Sequence, residues 1–318
     1  MNTNNAITKD NQTIYLLSID GGGVRGKIIA TFLELLERDL KITSNLNIHN
    51  LFNGFAGTST GALISLGLSS NLYNASEIAA FYDTKSLNQI FRRNLLSYLP
   101  ISLVAKYNGI DKRNFLTQVF KNKNLSDLTK LTVITSYDCN NNQAMIFKNT
   151  PSYTNSYNPS LAEIADASSA APGYFPSVVS ANKQHNLIDG GIVANDPSMC
   201  LLSEALSLNY HVSNIKLLSL GTGYLLNYHQ SSEIKNWSDI RWLKNGVIDD
   251  LMLGDTSMTD YQCRMVLGDS YMRINEVVAT KNAALDNINN DNVQELYNIG
   301  CKWYDKYKEQ IINFLTNN

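Results

Sequence analysis

Ser59 lies at the centre of Gly57-Thr58-Ser59-Thr60-Gly61, a match to G-x-S-x-G. The pattern is that of a nucleophile elbow, in which a serine is exposed on a tight strand-to-helix turn. Glycines on either side suit such a turn because side chains would clash where it is sharpest. The helix that follows directs its first N–H groups and its positive dipole end toward the serine. Five residues alone also fit an ordinary strand-to-helix turn with an incidental serine. The apolar stretch before it (residues 51–56) and GALISLGL after it (residues 61–68) supply the context that favours the elbow.

A serine nucleophile needs a base. The chain has four histidines, His49, His185, His211 and His229. None follows an expected strand into a glycine loop, although His185 is close in sequence to Asp189. Asp189 ends the run NLIDGG, where two glycines allow a sharp turn. A free aspartate is a weak base, with a pKa of about 3.9. Held within hydrogen-bond reach of a serine hydroxyl it can still accept the proton, because geometry comes before pKa. Asp-Gly is also a common turn pair, so this residue alone leaves both readings open.

A second glycine loop reads IDGGGVRG, residues 19–26. It fits G-x-G-x-x-G, and two ligands suit it: a dinucleotide pyrophosphate or the oxyanion of an acyl transfer. The dinucleotide reading asks for an acidic residue about 20 positions on, at the end of the second strand. That strand is expected to end at Ala56 and is followed by GTSTG, while Asp39 falls within a helical pattern. The oxyanion reading asks only for backbone N–H groups aimed at one point, each worth about 3 kcal/mol in the transition state.

The elements that must hold these residues can be read from periodicity. Ile14–Ile19 and Ile215–Leu220 are short apolar runs ending at glycine loops, and residues 131–136, 144–147 and 187–188 are further strand candidates. Residues 27–41 and 293–315 carry apolar side chains at helical spacing, with a polar loop at 287–292. Strand, glycine loop and helix alternate, which argues for a mostly parallel sheet covered by helices. Four strand ends carry glycine, at 21–23, 57, 190–191 and 221–223. In a parallel sheet all four would meet at the carboxyl edge, where ligands gather. No repeat or long linker divides the chain, so the expectation is a flexible tail at 1–13 and one catalytic domain from 14 to 318.

Composition narrows the partners. The 318 residues carry a net charge of −2, giving no basic field for nucleic acid. Cys139, Cys200, Cys263 and Cys301 are too far apart for a zinc motif or a disulfide framework, and reduced thiols fit a cytoplasmic protein. No metal and no cofactor is expected. The polar N-terminus lacks a secretory apolar region, and no apolar run reaches 18 residues. Export without a cleaved signal stays open. Residues 95–107, apolar around Pro100, suit either core or a flap, and Trp237 and Trp242 suit either a packed pair or a lipid-headgroup contact.

Taken together, the motifs resemble those of the patatin-like phospholipases. Asp20–Gly26, Gly57–Gly61 and Asp189–Gly191 match the family's glycine loop, serine elbow and Asp-Gly-Gly motif in order. ASSAAPGYFP (167–176), LLSLGTG (217–223) and SMTDY (257–261) are similar as well. The resemblance implies a three-layer α/β/α fold with a mostly parallel central sheet and a Ser-Asp dyad without histidine. It implies calcium-independent hydrolysis of glycerolipid acyl esters taken from a membrane or micelle by peripheral contact. Carried over, Ser59 is the nucleophile and Asp189 the base. Gly21, Gly22, Gly23, Val24 and Arg25 form the oxyanion loop; Arg25 either braces it, meets a lipid phosphate, or is a helix-start arginine pointing to solvent. Asp20 fixes that loop. The competing readings are a nucleotide-binding oxidoreductase and a catalytically silent lipid-binding protein.

Overall fold

The computed structural model describes residues 12–94, 97, 104–226, 238 and 247–316. Eight strands form one sheet: β1 (Ile14–Ile19), β2 (Gly54–Gly57), β3 (Leu131–Asp138), β4 (Gln143–Lys148), β5 (Val178–Val179), β6 (Asn186–Asp189), β7 (Ile215–Leu220) and β8 (Tyr271–Ile274). Their order is β5-β6-β3-β2-β1-β7-β8, with β4 also on β3. The five strands from β3 to β8 in that order are mutually parallel, while β4, β5 and β6 join by antiparallel pairing.

Alternation along the central strands builds two cores. Leu17 and Ile19 of β1 and Leu218 and Leu220 of β7 face one layer; Ile14, Leu16, Ile215 and Leu217 face the other. The larger layer holds α1 (Gly26–Ser44), α2 (Thr60–Ser69), α3 (Ala75–Ala80), α4 (Gly109–Phe120) and α5 (Leu161–Ser168). The smaller is covered by α6 (Ser198–Ser207) and α7 (Val247–Leu267), and α8 (Asn290–Thr316) returns to pack on α1. There Phe32 and Tyr304 meet edge to face at 5.5 Å, and Tyr304 donates to Asp39 at 2.7 Å. This is the three-layer α/β arrangement expected from the sequence.

Register decides what meets at the site. Ile19 lies opposite both Gly57 and Leu220, so the loops after β1, β2 and β7 leave the sheet at one level. The fourth loop arrives differently from the all-parallel expectation. β2 is only four residues long and stops opposite Ile134. β4 occupies the other edge of β3 from Val133 to Asp138, so the edge vacated by β2 is open. β6 fills it from the opposite direction and pairs Ser136 with Asp189. Asp189 thus comes head-on toward the end of β2.

Several boundaries differ from the sequence reading. Residues 48–51 form a short helix capped by Asn47, whose side chain accepts from the Asn50 N–H at 2.8 Å, so β2 begins at Gly54 rather than at 51. The C-terminal helix starts at Asn290, inside the expected polar loop. The tail at residues 1–11, most of the apolar stretch 95–107, and Trp237 and Trp242 lie outside the described residues. Tyr107, at the end of that stretch, is buried and donates to Asp286 at 2.6 Å. Among the described residues no helix is long and apolar enough to cross a membrane.

Candidate active site

Ser59 has φ 55° and ψ −117°, a left-handed conformation that a residue with a Cβ adopts only under constraint. It sits between β2 and α2, and three contacts hold it there. Its N–H donates to Ser168 Oγ at 2.9 Å. Its carbonyl accepts from Ala62 N at 3.0 Å. At Gly61 a Cβ would stand 2.1 Å from the carbonyl oxygen of Ile19, so only glycine lets α2 lie against β1. Next to it, the Thr58 hydroxyl is buried against Thr135 Oγ1 and the Ala194 carbonyl, both at 2.6 Å.

Asp189 ends β6 and caps the short turn 190–192, accepting the Gly191 N–H at 2.7 Å. Its own N–H donates to the Ala170 carbonyl at 3.1 Å. The C-terminal end of α5 and the residues just after it therefore grip both, Ser59 through Ser168 and Asp189 through Ala170. Asp189 is 7% exposed. Burial pushes its pKa up to about 6, against the lowering effects of the Gly191 amide, a hydrogen bond from the Ser59 side chain and the nearby charge of Lys112. Lys112 is itself buried. It is ion-paired to Asp166 at 3.0 Å, bonded to the Ser169 carbonyl and set over the Phe175 ring, and burial lowers its pKa.

The structure narrows the oxyanion loop. The amide of Gly21 donates to the Asn195 carbonyl, that of Val24 to the Leu285 carbonyl and that of Arg25 to the Gly22 carbonyl. These three of the five expected donors are already committed. Among the described residues, no protein acceptor meets the amides of Gly22 and Gly23, nor that of Thr60 at the start of α2. Gly23 has φ +57° and a Cβ there would lie 2.2 Å from the Leu285 carbonyl oxygen, so the loop closes only with glycine. The Arg25 guanidinium turns back to the Gly22 carbonyl at 3.4 Å, bracing the loop.

Beneath the loop lies a buried ionic cluster. Arg273 of β8 clamps Asp20 with two bonds, at 2.8 and 2.6 Å, and reaches Asp196 at 3.0 Å and Ser219 Oγ at 2.6 Å. Asp20 therefore holds the glycine loop to β8. One guanidinium faces two carboxylates; burial lifts the Asp20 pKa to about 7, against Arg273 and together with the Asp196 charge.

A cavity of about 310 Å³ opens beside the loop, with Arg25, Tyr174, Asn195, Tyr224, Met252 and Leu285 among its walls. Ser59 and Asp189 are not in its wall; Asn195 connects it to them, next to Ser59 at Gly21 and to Asp189 at Gly191. Among the described residues no histidine joins the serine. His49 bonds the Leu68 carbonyl, His211 bonds Ser213, and His185 bonds Asp138 at 2.7 Å at the far end of the β3–β6 pairing. His229 lies outside the described residues. Among the described residues no cluster of three His, Cys, Asp or Glu could hold a metal.

Sequence reasoning missed Ser168, Lys112, Asn195 and Arg273. Ser168 stood in the quoted ASSAAPGYFP stretch, and Asn195 follows closely on Asp189. Arg273 is 253 positions from Asp20, and nothing local marks it.

Fold and site define an α/β protein with a strained serine elbow, a buried carboxylate on the strand that meets it and a glycine loop at the same sheet edge. The patatin-like phospholipase family profile matches residues 17–200, and the chain belongs to that family. Patatin-like protein 2 of Oryza sativa subsp. indica is 29% identical, spanning 92% of this chain and 84% of its own. Patatin-like protein 2 of Arabidopsis thaliana is 30% identical over 85% and 77%, and Patatin-07 of Solanum tuberosum 27% over 94% and 85%. Among solved structures, VipD from Legionella pneumophila aligns with a TM-score of 0.49 at 13% identity, covering 93% of this chain and 67% of that one.

Proposed function

We propose that the chain is a lipid acyl hydrolase of phospholipase A type, with Ser59 as nucleophile and Asp189 as its base. The observation that carries this is the strained serine elbow at the end of β2, met head-on by β6, which ends in the buried Asp189 carboxyl; burial raises the pKa of that carboxyl to about 6. Such a carboxylate is largely ionised at neutral pH yet more basic than a free aspartate. Family membership supports a lipid substrate.

Asp189 takes the Ser59 proton as Oγ attacks the ester carbonyl. The tetrahedral oxyanion is met by the amides of Gly22 and Gly23. Collapse breaks the bond to the alcohol, and the leaving lysolipid oxygen takes the proton from Asp189. Water then attacks the acyl-serine, Asp189 accepts its proton and returns it to Oγ, and the fatty acid leaves. No cofactor enters these steps, and the enzyme meets its substrate as a peripheral visitor to a lipid surface.

The test is mass spectrometry of products from mixed-lipid liposomes with the parent chain, Ser59→Ala and Asp189→Asn. The parent should release fatty acid and lysolipid, and neither variant should. An Asp189→Asn protein that keeps most of the rate would remove Asp189 from the mechanism.

A further inference from the structure

Asn195 is held unusually for a residue with no assigned task. Its N–H donates to Asp255 Oδ2 at 2.8 Å, and its carbonyl accepts from Gly21 N at 3.1 Å. One backbone group thus ties it to the glycine loop and the other to α7. Its side chain, only 8% exposed, has no such anchor. Among the described residues neither end of the amide has a hydrogen-bond partner, and Oδ1 is fully buried. A buried amide without partners is costly, and native chains avoid it unless something else completes the bonding.

What stands opposite it is the reactive serine. A methyl group placed on Gly21 would meet Asn195 Oδ1 at 2.5 Å and Ser59 Cβ at 3.4 Å. The amide and the serine therefore both border the space beside this glycine, which the Thr58 methyl also borders at 3.4 Å. Asn195 also lines the cavity beside the loop. An amide has a donating and an accepting end in nearly the same shape, and its orientation follows whatever partner it finds.

We propose that the side-chain amide of Asn195 is a third donor to the ester oxygen that becomes the oxyanion at Ser59, a reading that rests on the acyl-hydrolase mechanism above. The substrate supplies the partner the folded chain leaves out. Because the bond strengthens as charge develops on that oxygen, it acts on kcat more than on KM.

The experiment is steady-state hydrolysis of p-nitrophenyl butyrate by the full chain, alongside thermal melts. Asn195→Ala should lower kcat by about 10²-fold with little change in KM and an unchanged melt. Asn195→Asp, which keeps the shape but turns a carboxylate toward the oxyanion, should lower it further. A folded Asn195→Ala or Asn195→Asp protein that keeps kcat within about twofold overturns the proposal, as does loss of fold in both variants, which would make the amide a structural brace. If only Asn195→Ala fails to fold, Asn195→Asp decides. Ser59→Ala separates the two readings. If it stays active, the nucleophile is wrong; if it is inactive beside a fully active Asn195→Ala, only the third donor is wrong.

Discussion

Two buried aspartates sit at opposite ends of the short β3–β6 pairing, and they are wired in opposite ways. Asp138 has the partner one would look for in a hydrolase, a histidine at 2.7 Å, together with the Asn141 side chain at 2.6 Å and the Asn140 N–H at 3.0 Å. Burial pushes its carboxyl up, but these donors outweigh burial and hold its pKa below the usual range. Asp189 has fewer donors, and burial wins, to about 6. The carboxylate with the histidine is stabilised as an anion and so is a poor base. The one without it is left hungry for a proton beside a hydroxyl. Satisfaction of lone pairs, more than the identity of a neighbour, separates a structural carboxylate from a reactive one.

That contrast can be broken most sharply at the serine. Ser59→Ala should abolish turnover, by at least about 10³-fold, and abolish labelling by a fluorophosphonate, read by intact mass. Asp189→Asn should cost a comparable factor, whereas Asp138→Asn should leave kcat within a few-fold while lowering stability by about 1–3 kcal/mol, read by urea melts.

The two carboxylates should also respond to pH with opposite sign. Raising Asp189 from about 3.8 to about 6 costs the fold about 3 kcal/mol at neutral pH, a cost that fades as pH falls through 6 and is gone below 4. Asp189→Asn should therefore melt higher than the parent at pH 8 and near it at pH 4. Asp138 stabilises the fold above the ordinary carboxylate range and loses that contribution as pH falls through its lowered pKa. The rate, kcat/KM on a soluble ester, should rise with pH around a midpoint near 6, and His185→Gln should leave that midpoint in place. A loss well below that at Ser59 or Asp189 is expected at Ser168→Ala, which strips the Ser59 amide of its acceptor. A loss of about tenfold in kcat with KM kept would show that this hydroxyl holds the elbow in its reactive geometry.

Much of this was legible in the chain because the motifs are local. A glycine loop, an elbow and an Asp-Gly-Gly turn each occupy fewer than ten residues, and the flanking strands IYLLSI and IKLLSL are buried at five of their six positions. What was hidden is long-range. The direction of β6 leaves no mark in NLID, since alternation is the same read either way. β8, YMRI, was missed because Arg273 interrupts its apolar pattern; only the clamp on Asp20 explains a guanidinium there. The glycine loop suggested five donors, but which amides are already spent depends on Asn195 and Leu285, far along the chain.

The brevity of β2 has a consequence for synthesis. Residues 59 and 189 are 130 positions apart, and they come together only when β6 drops into the gap that β2 leaves beside β3. A nascent chain that has emerged through residue 180 already carries its serine elbow but has no base to arm it. Closing so long a loop is entropically late, so the elbow and its proposed base come together only after about three fifths of the chain has been made and β6 has docked on β3. Two extra residues at the end of β2 would fill the gap, bar β6 from it, and leave a chain with every motif intact and nothing to ignite.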